Sequence, residues 1–147
     1  MYGSAIRYFE RGLGDPRVAG IIPMAEPIDD TQISETSEIT VTIPILALSG
    51  SENAPELFSA QFEQATQQAT QLDFTWVELI GGCHTTFGGL PLCATIDKDY
   101  AYTQINRYAL SFARHILLDD QSTSTLNLLS GQTEVEGINV QRHIPTE

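Results

Sequence analysis

"FTWVELIGGCHTTF" (74–87) carries apolar, aromatic and β-branched residues up to Gly81 and Gly82, then breaks into Cys83 and His84. Both alternating sets of positions are largely apolar. That predicts a strand covered on both faces, over 74–82, rather than one with a wet side. The stretch "TVTIPILALSG" (40–50) has the same character, continuous and apolar, and predicts a second buried strand. Between them, Pro55 can open a helix across 55–72, with Phe58, Phe62, Ala65, Ala69 and Leu72 recurring at helical spacing. Two buried strands joined by one helix form a crossover unit, and such units lie parallel in a sheet.

Working outward, "SAIRYFERG" (4–12) predicts a short helix with Ile6 and Phe9 inward, closed by Gly12 and Gly14. After the turn at Asp15 and Pro16, "RVAGIIPMAEP" (17–27) predicts a further buried strand, and the polar run 28–40 a surface loop. Beyond the loop 83–97, Tyr102, Ile105, Ala109, Phe112, Ala113 and Ile116 mark one face of a long helix. From 119 the chain turns polar, and a loosely held tail (119–147) is expected, with one weak strand signal at 134–142. Strands alternating with helices predict an α/β fold built on a parallel sheet. No repeat or linker divides residues 1–118.

The 147 residues are 41% hydrophobic, enough for one domain with a core, and carry a formal charge of −12. Lys98 is the only lysine and there is no basic run, which argues against nucleic acid and anionic membrane surfaces as partners. No apolar stretch is long enough to span a bilayer. Cys83 and Cys93 flank the loop that holds His84. A disulfide there would need an oxidising compartment, and two free thiols are the alternative. These cysteines with one adjacent histidine do not make a spaced zinc ligand set, so no metal is expected.

In parallel α/β sheets, ligands and reacting groups gather at the carboxyl ends of the strands. Three such ends are expected, "MAEP" (24–27), "SGSENAPE" (49–56) and "GGCHTTF" (81–87). The second brings carboxylates and the third a histidine. With "DPRVAGIIPMAEP", "IPILALSGSEN", "ELIGGCHTTF" and the closing helix "YTQINRYALSFARHILL", the chain resembles the C-terminal part of an α/β-hydrolase. The nearest branch is that of the dienelactone hydrolase-like proteins and small esterases and lipases, and the likeness covers about residues 1–118.

The resemblance implies a partial α/β-hydrolase fold, with strands six to eight and crossover helices present and the N-terminal half absent. It implies a Ser-His-acid ester hydrolase needing no cofactor, with the base at His84. The usual Gly-x-x-Asp pattern of the acid turn meets Gly50 and Asn53 here. Glu52 is therefore the expected acid, with Glu56 behind it and Glu26 a weaker candidate. His115 and His143 lack such a setting.

By the same likeness the nucleophile falls at or before Met1, so the chain is expected to lack it and to be inactive alone. Ser4 would lie too far into the helix, and one oxyanion N–H would come from Met1 or Tyr2. The expected substrate is a small-molecule or polymeric ester. The open apolar edge of the strand at 17–27 would invite self-association. The expected location is cytoplasmic if Met1 is the true start, and secreted if the chain is a fragment with a Cys83–Cys93 bridge. A different class is a non-catalytic hydrolase-like module that binds a partner or oligomerises, which the Asn at 53 favours. A nucleotide-binding domain is weaker, because no Gly-x-Gly-x-x-Gly or P-loop follows any strand.

Overall fold

The computed structural model describes residues 15–25, 43–68, 72–89 and 92–145. The helix expected at 4–12 and the loop expected at 28–40 lie outside them.

Strand β1 (Ile45–Gly50) and strand β2 (Phe74–Leu79) pair in parallel, from Ile45 opposite Phe74 to Gly50 opposite Leu79. Helix α1 (Pro55–Gln68) makes the crossover between them. All of β1 and all but one residue of β2 are buried. Their alternation sorts the side chains into two cores. On one face Ile45, Ala47, Phe74 and Trp76 pack with Phe58 of α1 and with Leu72. On the other, Leu46, Leu48, Val77 and Leu79 pack against helix α2 (Lys98–Leu118) and helix α3 (Thr123–Leu129). The sheet is thus a middle layer with helices on both sides, which is why its strands read as unbroken apolar runs.

Of the segment expected as a strand at 17–27, the described part lies beside β1 in parallel, but only as two bridges, Ile21 to Ile45 and Met24 to Leu48. Proline explains the gap. Ile21 N–H donates to Pro44 O, Leu46 N–H to Ile21 O, Leu48 N–H to Pro23 O and Ala25 N–H to Leu48 O. The missing rung would come from the nitrogen of residue 23, and Pro23 has no N–H to give.

Helix α2 starts where Asp97 caps it, its carboxylate accepting from Tyr100 N–H at 2.8 Å. Its buried face is Ala101, Gln104, Ile105, Tyr108 and Phe112. Ile105 and Phe112 were expected there. Gln104 and Tyr108 were not among the residues expected on that face.

The segment from 119, expected as a loosely held tail with a weak strand signal at 134–142, is built into the fold. That segment forms α3 and then strand β3 (Ile138–His143), which pairs antiparallel with β2 in the order β1-β2-β3. The sheet is therefore mixed rather than wholly parallel. Leu128 and Leu129 are buried in the second core, and Arg142 forms a two-pronged ion pair with Asp73 at 2.8–3.1 Å. These contacts bury enough apolar and ionic surface to hold a segment whose composition is mostly polar.

Candidate functional site

Because β1 and β2 run parallel, their carboxyl ends open on the same rim of the sheet. The two turns there touch through their backbones. Glu52 N–H donates to Gly82 O at 2.9 Å, and Ser51 N–H to Leu79 O at 3.0 Å. A Cβ placed on Gly50 would overlap the peptide carbonyl of Gly82, so the close approach needs glycine at 50.

Past Leu79 the chain turns on Gly81, at φ +79°. Gly81 O accepts from Thr95 N–H at 2.8 Å and Ile96 N–H at 3.2 Å, which closes the neck of the loop carrying His84. Cys83 and Cys93 are joined by a disulfide across that loop, with their Cα atoms 5.9 Å apart. Cys83 is buried, and its N–H donates to the Thr86 hydroxyl at 2.9 Å. His84 opens a short 3₁₀ turn, His84–Thr86, with an exposed side chain. Thus the glycines let the strand end abruptly, and the bridge and neck bonds fix the turn beyond it.

Among the described residues the His84 ring makes one hydrogen-bond contact. Its Nδ1 lies 3.1 Å from the carbonyl oxygen of Ala25, at the end of the segment beside β1. A carbonyl can only accept, so Nδ1 carries a proton in this contact. The same carbonyl accepts from Asn53 Nδ2 at 2.9 Å. Ala25 has φ +58°, left-handed for a residue with a side chain.

Asn53, from the turn after β1, thus stands beside the histidine across one shared oxygen. Glu52 is on the same rim but exposed, and among the described residues its carboxylate makes no hydrogen bond to His84. Glu56 is exposed in the first turn of α1. Met1, Tyr2, Ser4 and Glu26 lie outside the described residues. The nearby serines are otherwise engaged: Ser49 accepts from Trp76 Nε1 at 2.8 Å, and Ser51 accepts from Gly81 N–H at 2.8 Å.

His115 is structural. Its Nδ1 donates to Asp120 O at 3.2 Å, and its Nε2 lies 3.5 Å from Arg142 Nη2. Among the described residues no three His, Cys, Asp or Glu side chains cluster to hold a metal ion, and no helix is long and apolar enough to cross a membrane.

Sequence reasoning had no means of finding the Ala25 carbonyl. A backbone acceptor leaves no side-chain signature, and alanine does not announce a left-handed turn. Compared with known proteins, the chain matches no protein-family model and no curated sequence.

Proposed function

We propose that the chain supplies the general base of a carboxylic ester hydrolase of the α/β-hydrolase class, working by a Ser-His-acid type mechanism, and that His84 is that base. One observation carries this reading. An exposed imidazole sits at the carboxyl rim of parallel strands, with its Nδ1 within hydrogen-bond distance of the Ala25 carbonyl. A neutral imidazole in that state can take a proton from a hydroxyl and return it to a leaving alcohol. The segment at 21–25, β1 and β2 would then correspond to the family's strands six, seven and eight. The nucleophilic serine is assigned to no residue of this chain.

The test is turnover of p-nitrophenyl acetate by the purified chain and by its His84→Ala variant. Without a serine the rim imidazole can act on this activated ester only directly or through water, so a fall of about tenfold or more from a low rate is expected. If the two proteins turn over alike, catalysis is not the role of this rim, and a partner-binding or oligomerising module takes its place.

A further inference from the structure

The structure assigns the positioning of the His84 ring to Asn53 and the peptide carbonyl of Ala25 acting as a pair, in place of a carboxylate. This deepens the hydrolase reading and rests on it. The ladder between the 21–25 segment and β1 sets the geometry. Ile21, Pro23 and Ala25 turn their carbonyls or amides toward β1 in regular succession. The next rung would carry the Ala25 carbonyl to Gly50 N–H. At φ +58° that carbonyl leaves the ladder and meets Asn53 and His84 at the rim instead.

A left-handed alanine costs about 1 kcal/mol, so it persists only where its surroundings demand it. Here three bonds hold the two peptides around it: Ala25 N–H to Leu48 O at 2.8 Å, Asn53 Nδ2–H at 2.9 Å and His84 Nδ1–H at 3.1 Å. Two N–H donors occupy the two lone pairs of one oxygen and so fix its direction.

The pairing also explains an amide at 53. An ionised aspartate there would have no donor and would face the Ala25 carbonyl with like partial charge. Asparagine can donate, so it steers the carbonyl that steers the ring. The carbonyl selects the tautomer that a base requires, with the proton on Nδ1, but brings no net negative charge to the imidazolium.

Nitrogen-15 NMR of the full chain, labelled in histidine, reads which ring nitrogen of neutral His84 carries the proton. The wild-type ring is expected as Nδ1–H. Asn53→Leu, close in size but without a donor, should move the ring toward Nε2–H. Ala25→Gly, which adopts the left-handed turn freely, should keep it as Nδ1–H, and so should Glu52→Gln. A wild-type ring protonated on Nε2 overturns the proposal with no variant needed. So does an Asn53→Leu ring that stays Nδ1–H, or a Glu52→Gln ring that does not. The readout uses no substrate. Ester turnover that ignores His84 would remove the hydrolase reading and leave the tautomer result standing, while an Asn53→Leu ring that stays Nδ1–H would remove only this positioning device.

Discussion

At Gly50 there is no room for a methyl group, because the peptide of Gly82 occupies that space. Gly50→Ala should therefore push the two rim turns apart and destabilise the fold by about 2 kcal/mol, as overpacking does. Urea unfolding measures the loss, and an unchanged midpoint would mean the turns do not meet. Tyr108 presents the opposite case. It is fully buried, and its hydroxyl finds no hydrogen-bond partner among the described residues. Burial pushes its phenol above the ordinary tyrosine range. Tyr108→Phe keeps the ring and removes the unpaired hydroxyl, so it should raise stability by about 1 kcal/mol. A clear loss in thermal unfolding would show that the hydroxyl has a partner. At this scale His84 was legible, because a strand stopped by two glycines before a histidine is unusual by composition alone. The function of Asn53 was not. Its partner is a main-chain oxygen delivered by a segment 28 residues away.

Among the elements, β1, α1, β2 and α2 were readable, since each carries a long apolar run or a helical stripe. Helix α3 was not, and β3 gave only the weak signal at 134–142. Thr123–Leu129 is only 7 residues long, and β3 alternates between half-buried and exposed positions with polar residues on both. Their stability comes from distant partners rather than local propensity. Arg142 and Asp73 have side chains only 8% and 18% exposed, and the pair is two-pronged. Arg142→Met leaves Asp73 without its cation and should cost about 3 kcal/mol. Thermal unfolding with no change would show the pair to be idle. Asp120 anchors the start of α3 by accepting from Ser122 and Thr125, with Arg114 at 3.0 Å. Hydrogen bonds from Ser122 chiefly, then Thr125 and the Arg114 charge, hold its carboxyl down at about 2. Its folded value is depressed, so its contribution is present above the ordinary carboxylate value near 3.8 and fades as pH falls toward 2. Hydrogen-exchange protection in α3, relative to the intrinsic exchange rate, should therefore fall between pH 4 and pH 2 in the wild type, and Asp120→Asn should flatten that acid limb.

For the whole molecule, a three-layer arrangement followed from sequence because strands buried on both faces require helices above and below. The mixed sheet did not follow, since the antiparallel edge depends on the docking of the last segment. The formal charge of −12 and the Cys83–Cys93 bridge bear on the site together. The acidity disfavours anionic ligands, and the bridge ties the histidine loop. Closing a loop of this length contributes about 2–3 kcal/mol in the chain-entropy view, so reduction should lower the thermal midpoint and loosen the 83–93 loop first. Reduction without either effect would make the bridge incidental.

The claim that organises this account is that the imidazole at 84 works as a base. Initial rates of p-nitrophenyl butyrate hydrolysis by wild type, His84→Ala and His143→Gln, side by side, test it most directly. The account predicts a fall of about tenfold or more for His84→Ala, with His143→Gln keeping the wild-type rate. Equal rates for all three, or equal losses in both variants, would contradict it.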